Sequence, residues 1–357
     1  MGTSLLILLA LSLPNLFAKG GHCVRLFEGE YVSRPAGHAQ RPLREKKQLV
    51  VATMNLNRFF VKRPHLIDKT LPKMEQEGPL GVPEKSFQEI LAYNKALKEL
   101  DADVYVFQEV IGSYSTKALD PWGEYIHLAD TPADMAGMQT VFMVRKSLEV
   151  EAKVILPKTM DADTTPRGLP VLKIRAKNAE GKIIDPQNPN MMIMGVHLKS
   201  PRNINDATYD RVKNKEMQAI QKAYREIRQR FLEVPFMVTG DFNMDTFRNQ
   251  TLVTTINREL ENSFDIAHPE FNVFDRATKY FLEANGRINH NSFDAAYISK
   301  NLKKNLKDSF VFHWRDENGN LMGVLDEAGV LQPKVSENNQ VEIGISDHLP
   351  VVSVFQF

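Results

Sequence analysis

Residues Val234–Asp245 read VPFMVTGDFNMD. The stretch begins as a short apolar run, which is typical of a buried strand, and the run ends abruptly at Thr239-Gly240. Glycine lets a backbone turn sharply or approach a ligand closely. Asp241 and Asn243 follow; a carboxylate can bind a hard cation or activate a water, and an amide can orient a phosphoryl oxygen. Asp and Asn are also common in ordinary turns, so the stretch becomes informative only if other predicted strands end in the same way.

The composition is that of a globular protein. The chain has 357 residues, of which 43% are apolar and 25% charged, so it can bury a large core in one domain or two. Its formal net charge of +1 argues against the coating of a polyanion, and any nucleic-acid binding must come from a local basic patch. The single cysteine, Cys23, excludes an intramolecular disulfide and a cysteine metal cluster.

The N-terminal segment differs from the rest of the chain. Ser4–Phe17 is almost entirely apolar, has the length of the apolar part of a signal peptide, and is short for a membrane span. Ala18 provides a small residue for cleavage, although no Lys or Arg precedes the apolar run. We therefore expect residues 1–18 to be a signal peptide and the protein to be secreted or periplasmic, with a membrane anchor as the alternative if the segment is retained. Residues 19–47 are expected to be a flexible lead-in to a domain at 48–357.

Two segments have the residue spacing of amphipathic helices. Glu84–Leu100 places apolar residues such as Phe87 and Leu91 at helical spacing, and we expect them to cover a sheet. A second helix leads back to the strand described above and carries Lys and Arg mixed with acidic residues, among them Lys213 and Glu216. We expect this charged surface to be solvated rather than to bind nucleic acid.

Other predicted strands also end in polar residues. Gln48–Asn55 is an apolar run that ends in an amide, and a loop rich in Lys and Pro follows it from Arg58 to Pro83. Val104–Glu109 ends in a carboxylate, and Asn291–Ile298 is predicted as a strand with an acidic residue near its start. The polar residues at the ends of predicted strands are Asn55, Glu109, His197, Asp241, Asn243, Asp294, Asp347 and His348. Each has an ordinary explanation alone, but a sheet edge is where a rigid scaffold assembles a site most simply, so together they predict one active site.

The chain resembles the endonuclease/exonuclease/phosphatase superfamily in the order of its motifs, which are Thr-Met-Asn, Gln-Glu-Val, Val-His-Leu-Lys-Ser, Gly-Asp-Phe-Asn, Phe-Asp-Ala-Ala-Tyr-Ile and Ser-Asp-His-Leu-Pro-Val. The resemblance covers about Gln48 to Phe357. It implies a four-layer α/β/β/α sandwich of two mostly antiparallel sheets flanked by helices. It also implies hydrolysis of a phosphate ester with a divalent cation, usually magnesium, with manganese or calcium as alternatives. Oxygen ligands suit such a hard ion.

The resemblance implies a role for each acidic or amide residue. A metal would be held by Glu109, with Asn55 and Asp347 in support, and would neutralise charge on the phosphate. Asp241 would orient or deprotonate the attacking water. Asn243 would hold the phosphate in line with that water.

The resemblance also implies roles for the histidines and one arginine. His348 would contact the scissile phosphate, with Asp294 fixing its tautomer and favouring its charged form. His197 would stabilise the phosphate or protonate the leaving oxygen. Arg167 resembles a phosphate-binding arginine of the superfamily. Two candidates for the general base stay open, namely Asp241 and the His348–Asp294 pair.

Two features bear on the substrate. The abasic-site enzymes of the superfamily carry a tyrosine-containing motif where His197 stands, so the resemblance moves towards the deoxyribonuclease I, sphingomyelinase and phosphatase branches. Secreted sphingomyelinases insert an aromatic membrane-contacting hairpin where residues 301–343 lie. Here a hairpin predicted after Phe310–Trp314 has a charged tip at Arg315–Gly319, which disfavours burial in lipid.

The combined prediction is an exported, sequence-nonspecific nuclease that acts on DNA or RNA. The alternative is a phospholipid phosphodiesterase of the sphingomyelinase type or a phosphomonoesterase on the same scaffold. A non-catalytic binding module is disfavoured because every motif position is filled. We expect a monomer without an obligate protein partner.

Overall fold

The computed structural model describes residues 41–62, 82–158, 163–200, 206–271, 275–282, 288–313, 324–325, 331–332, 334–335, 341–342 and 346–356. The predicted signal peptide, the lead-in up to residue 40 and the charged hairpin tip at Arg315–Gly319 lie outside these residues. Within the described ranges, no helix combines the length and the hydrophobicity that a membrane span requires.

The helices and strands are as follows in chain order. Short 3₁₀ helices span Leu43–Glu45 and Lys146–Leu148, and the α-helices are α1 Phe87–Leu100, α2 Ser113–Leu119, α3 Asp206–Arg230, α4 Gln250–Asn257, α5 Ser263–Ala267 and α6 Lys300–Lys303. The strands are β1 Gln48–Phe60, β2 Val104–Ile111, β3 Tyr125–Leu128, β4 Met138–Arg145, β5 Val150–Ile155, β6 Val171–Ala176, β7 Met191–His197, β8 Phe236–Asp241, β9 Leu260–Asn262, β10 Lys279–Leu282, β11 Ile288–Asn291, β12 Asp294–Ser299, β13 Leu306–Val311, β14 Val324–Leu325, β15 Leu331–Gln332, β16 Lys334–Val335, β17 Val341–Glu342 and β18 Val351–Gln356.

The strands form two large sheets with the same design. The first has the order β13-β18-β1-β2-β4-β3 and the second β5-β6-β7-β8-β12-β9, with six strands in each. Neighbouring strands run antiparallel except for one central pair in each sheet, β1–β2 and β7–β8, which run parallel. Parallel neighbours need a crossover connection, and α1 and α3 lie in the two connections.

Those two helices form the outer layers. On the first sheet, the α1 residue Tyr93 donates to Leu56 O at 2.9 Å. On the second sheet, the α3 residue Tyr224 packs edge-to-face on Phe236 with ring centroids 5.0 Å apart. The order of layers is therefore helix, sheet, sheet, helix, which confirms the predicted four-layer sandwich.

Helix α1 begins with a capping box. Glu89 N donates to the Ser86 hydroxyl, and the Glu89 carboxylate accepts from Ser86 N at 2.7 Å, which satisfies two backbone donors of the first turn. Phe87 and Leu91, which we predicted to cover the sheet, are instead 68% and 49% exposed. A helix turns by about 100° per residue, so Leu91 lies about 200° around the helix from the buried Tyr93.

Strand β7 separates two hydrophobic cores. Met191 and Ile193 belong to the core between the sheets, and Met192 and Met194 pack in the core under α3. Because side chains alternate along a strand, position 195 and His197 share the inner face with Ile193. The end of β7 therefore presents a histidine to the space between the sheets.

Gly195 allows the two sheets to approach closely beside that histidine. A Cβ at this position would lie 2.5 Å from Thr140 Cγ2 and 3.1 Å from both Phe142 Cζ and Val106 Cγ1, all on the first sheet. Side chains of the inner face thus leave no room for a methyl group here. The close approach brings the strand ends of the two sheets within hydrogen-bonding distance of each other.

The predicted ends of the first two strands are wrong. We placed them at Asn55 and Glu109, whereas β1 and β2 both continue beyond these residues. The pairing register shifts at this point, and Asn57, Arg58 and Glu109 have positive φ angles of 50°, 55° and 60°. A β-bulge of this kind interrupts the ladder and re-aims a side chain. Asn55 and Glu109 therefore lie at an irregularity inside the strands rather than at their ends.

Helix α3 is solvated over much of its charged surface, as predicted, and Arg211, Lys215 and Lys222 are not buried. The prediction is wrong for Lys213 and Glu216, whose side chains are both 0% exposed. Their charges are compensated by each other and by backbone groups, which a sequence pattern cannot show.

Candidate active site

The parallel strand pairs bring the predicted residues together at one edge of the sandwich. Asp241 lies opposite His197 in the register of β7 and β8, and opposite Asp294 in the register of β8 and β12. From the other sheet, Asn55 Nδ2 donates to Asp241 Oδ2 at 3.0 Å. The carboxyl ends of parallel strands are a recurrent place for a site in α/β proteins. Here the second sheet contributes the ends of β7 and β8, and the first sheet contributes Asn55 and Glu109 from the irregularity inside β1 and β2.

Glu109 is held by groups from both sheets. Its Oε1 lies 3.2 Å from Asn55 Nδ2 and 3.5 Å from His197 Nε2, and its Oε2 accepts from Arg58 N at 2.9 Å. Burial disfavours the charged carboxylate, but the contacts with His197 and Asn55 outweigh burial and lower the pKa of Glu109. An ionised carboxylate is the form that ligates a hard cation. The positive φ of Glu109 is the kind of backbone strain that clusters at functional sites.

Asp241 and Asn243 form a compact turn after β8. Asn243 N donates to Asp241 Oδ1 at 2.7 Å, and Asn243 Nδ2 donates to Asp241 Oδ2 at 2.8 Å and to Leu198 O at 3.0 Å. Asp241 is fully buried, and Asn243 has a φ of 48°. Both carboxylate oxygens of Asp241 are thus fixed by donors, so the orientation of this carboxylate is set before any ligand arrives.

His348 and Asp294 form a buried pair. His348 Nδ1 lies 2.6 Å from Asp294 Oδ2. Burial disfavours the imidazolium, but the Asp294 carboxylate outweighs burial and raises the pKa of His348 to about 9. The strand predicted from Asn291 to Ile298 is split into β11 and β12, and Asp294 begins β12. At the break, Thr278 Oγ1 accepts from both Phe293 N and Asp294 N. The two side chains of His348 and Asp294 are therefore in contact, and the catalytic role that the resemblance implies for them stays a prediction.

Asp347 is paired with a cation that the sequence did not indicate. Lys279 donates to its carboxylate, and burial is outweighed by the charges of His348 and Lys279, which lower the pKa of Asp347. Lys279 reaches Asp347 because β10 forms a bridge to His348. Nothing in the local sequence distinguishes this lysine from the others in the chain. Only the tertiary contact reveals it.

Arg167 lies beside the site and donates hydrogen bonds to it. Its Nε donates to Asp134 Oδ2 at 2.9 Å and its Nη1 to Leu198 O at 3.1 Å, the same carbonyl that Asn243 uses. The guanidinium is therefore tied to the backbone of the site. Its predicted contact with a phosphate stays a prediction.

The residues fit a hard divalent cation. The carboxylates of Glu109 and Asp347 are oxygen ligands of the hard type, and the lowered pKa of each favours the ionised form that binds a cation. Asp241, Asp294 and His348 also place ligand atoms within 4.8 Å of one another, but the charged imidazole that Asp294 favours has no lone pair for a metal. Asn55 is oriented differently from the expectation of an oxygen ligand, because its Oδ1 accepts from Asn57 N at 2.9 Å and its nitrogen lies against the carboxylates.

Known structures share this fold. No protein-family model and no curated protein sequence matches the chain. The structure is similar to D. rerio TDP2 complexed with single-strand DNA product, with 14% identity, a TM-score of 0.51, and coverage of 87% of this chain and 100% of that one. It is similar to a mannosyl-6-phosphatase from Bacteroides thetaiotaomicron, with 15% identity, a TM-score of 0.51, and coverage of 87% and 100%. It is also similar to an endonuclease/exonuclease/phosphatase family protein of the same organism, with 14% identity, a TM-score of 0.50, and coverage of 87% and 95%. The chain therefore has the endonuclease/exonuclease/phosphatase fold, and the resemblance drawn from the motifs is confirmed at that level.

Proposed function

We propose that this chain is a metal-dependent phosphoester hydrolase. The observation that carries the proposal is the convergence of ionised and charged groups from both sheets on one buried edge. That edge joins Glu109, Asp241 and the His348–Asp294 pair. Hydrolysis of an anionic phosphate ester needs a cation, an oriented water and donors for the developing charge, and these side chains can provide all three.

Each of these residues would have a separate role in the hydrolysis. A divalent cation, which Glu109 and Asp347 would hold, supplies charge neutralisation at the phosphate when it is bound. Asp241 is suited to orient the attacking water, because both of its oxygens are fixed by donors, and we also assign to it the proton of that water. His348 is suited to donate to the phosphate, because its contact with Asp294 favours the charged imidazole. Of the two candidates for the general base, this division assigns the role to Asp241.

We further propose that the substrate is DNA or RNA and that the protein is an exported nuclease. The structural similarity to a TDP2 crystallised with a single-strand DNA product supports a nucleic-acid substrate. The apolar segment at Ser4–Phe17 supports export. A direct assay of cleavage decides the first of these two statements.

Phosphomonoester hydrolysis is the second candidate. A phosphomonoester carries more negative charge than a diester, and Lys279 places an additional cation beside Asp347 and His348. The structural similarity to a mannosyl-6-phosphatase supports the same candidate. A phospholipid diester remains the third substrate class to be compared.

The test is a matched assay of the purified full chain with magnesium or with excess chelator. The substrates are supercoiled plasmid, single-stranded oligonucleotide, mannose 6-phosphate and sphingomyelin vesicles. Asp241→Asn should lower turnover by about two to four orders of magnitude, because it removes the carboxylate while keeping its shape. Asp185→Asn makes the same chemical change at an exposed loop position and should leave turnover unchanged.

The pattern of cleavage assigns the substrate. Metal-dependent cleavage of either DNA supports the nuclease, and hydrolysis of mannose 6-phosphate alone supports the second candidate. Vesicle hydrolysis alone transfers the assignment to a lipid substrate. Turnover that Asp241→Asn retains would contradict the proposed role of the site.

A further inference from the structure

Helix α3 contains a buried ion pair that the proposed chemistry does not use. Lys213 Nζ lies 2.8 Å from Glu216 Oε2, one helical turn away, and both side chains are 0% exposed. A buried ion pair is often no more stable than an apolar pair of the same size, because both charges lose their hydration. Stability alone therefore does not explain why a charged pair occupies this position.

The pair binds the backbone of two loops. Lys213 Nζ donates to Lys199 O at 2.6 Å and to Phe242 O at 3.2 Å, in addition to its contact with Glu216. Glu216 Oε1 accepts from Lys199 N at 2.8 Å. An ammonium has three donors, and these contacts use all three. The pair thus fixes the backbone N–H and carbonyl of Lys199 and the backbone carbonyl of Phe242.

Both loops carry candidate active-site residues. Lys199 lies two residues after His197, and Phe242 lies between Asp241 and Asn243. The same two loops are joined directly as well, because Leu198 N donates to Asp241 O at 3.0 Å. Any change in the ion pair is therefore transmitted to both loops at once.

We propose that Lys213 and Glu216 are positioning residues that fix the ends of β7 and β8, so that His197, Asp241 and Asn243 keep their mutual geometry. This inference rests on the proposed hydrolase function. Neither residue touches the reacting atoms; each acts through the backbone of Lys199 or Phe242. A displacement of about 1 Å at a reacting group can lower a rate by about a hundredfold.

The main test variant is Lys213→Met with Glu216→Gln. Methionine is unbranched like lysine, one heavy atom shorter, and has no donors, and glutamine keeps an acceptor for Lys199 N, so no unpaired charge is buried. Glu216→Gln alone keeps the Lys213 ammonium and its two carbonyl contacts, but it leaves that buried charge without a carboxylate and should therefore lower the stability. The matched control is Arg225→Met, which removes an ion pair with Glu259 from the exposed side of the same helix.

Three measurements separate positioning from a merely structural role. Thermal unfolding shows whether each variant is folded. Steady-state kinetics on the substrate that the wild type cleaves gives kcat and KM separately. Hydrogen exchange, which needs no activity, reports the protection of peptides that cover residues 197–200 and 242–244.

The double variant should fold, lose about tenfold to a hundredfold in kcat with little change in KM, and exchange faster in those two peptides. Arg225→Met should match the wild type in all three measurements, and Glu216→Gln, which keeps the carbonyl contacts of Lys213, should fall between the wild type and the double variant in kcat and in exchange. A folded double variant with kcat within about twofold of the wild type would overturn the proposal. If the double variant does not fold, a Glu216→Gln variant with unchanged kcat and unchanged exchange would overturn it. If the wild type cleaves no phosphoester, the proposed function fails, and unchanged exchange in both peptides would then overturn the positioning role separately.

Discussion

The glycine before Asp241 offers the sharpest test of how the fold holds the site. Gly240 has a φ of 143°, which side chains rarely adopt, and a Cβ there would lie 2.1 Å from Val196 O. Cβ atoms essentially never lie within 3.0 Å of a heavy atom outside their own residue and its chain neighbours, and this contact would be 0.9 Å shorter than that limit. The obstructing atom belongs to the backbone, so it cannot rotate away. In Gly240→Ala the strands β7 and β8 must therefore separate by about 1 Å at the point where they carry His197 and Asp241.

Two effects of Gly240→Ala together lower the free energy of unfolding. Strain at a glycine-only backbone conformation costs about 1–3 kcal/mol, and forced overpacking costs about 1–3 kcal/mol, so the free energy of unfolding should fall by roughly 2–6 kcal/mol. Gly181→Ala is the matched control, because Gly181 has a φ of 75° but a Cβ there would meet none of the described atoms within 4 Å. It carries the backbone strain alone, about 1–2 kcal/mol.

Urea denaturation and kcat measure the two effects. Gly240→Ala should lose more stability than Gly181→Ala and should lose about a hundredfold in kcat, whereas Gly181→Ala should keep full activity. Equal losses of stability in the two variants, with activity kept in both, would refute the argument that the β7–β8 contact sets the geometry of the site.

Three further predictions concern the packing, the helix start and the buried pair. Gly195→Ala should destabilise the fold by about 1–3 kcal/mol, and adding Thr140→Ser should recover part of the loss because it removes the obstructing Cγ2 methyl. Urea denaturation of the two single variants and the double variant measures this coupling, and simple additivity of the two effects would contradict the contact. Ser86→Ala should lower the free energy of unfolding by about 1 kcal/mol through loss of the capping box, and an unchanged urea midpoint would contradict it. In chelated protein, histidine NMR should give His348 a pKa raised to about 9, falling towards its ordinary value or below in Asp294→Asn. Because the folded pKa of His348 lies above the unfolded value of about 6.5, the protonation of His348 contributes stability that is fully present below about pH 6.5 and is lost as the pH rises through about 9. Burial raises the pKa of Asp294, so its carboxylate offsets part of this contribution. A wild-type His348 pKa at or below its ordinary value would contradict the assignment.

Apolar runs and the motif order were enough to predict the layers, and most of the residues proposed for the site lie together at one edge of the sandwich. Asp241, for example, was predicted at the end of a buried strand and is the last residue of β8. The error at Glu109 has a physical cause, because a bulge is a property of the pairing between two strands and leaves no local pattern.

The other differences from the sequence-based prediction arise from tertiary contacts. Lys279 and Lys213 are ordinary lysines in the sequence, and each acquires its place from partners far along the chain. Leu91 was assigned to the wrong side of α1, because its spacing alone does not show that the sheet packs on the side of Tyr93. In each case the deciding contact lies outside any short window of sequence.

The position of β18 has a consequence for the order in which the protein is made. This strand is the last of its sheet to be synthesised, yet it lies between β13 and β1, and it follows directly after Asp347 and His348. A nascent chain cannot close the first sheet before β18 emerges, since β1 and β13 each pair with it. A chain that stops before β18 therefore lacks the strand that joins β13 to β1, and a chain that stops before Asp347 lacks two of the candidate site residues as well.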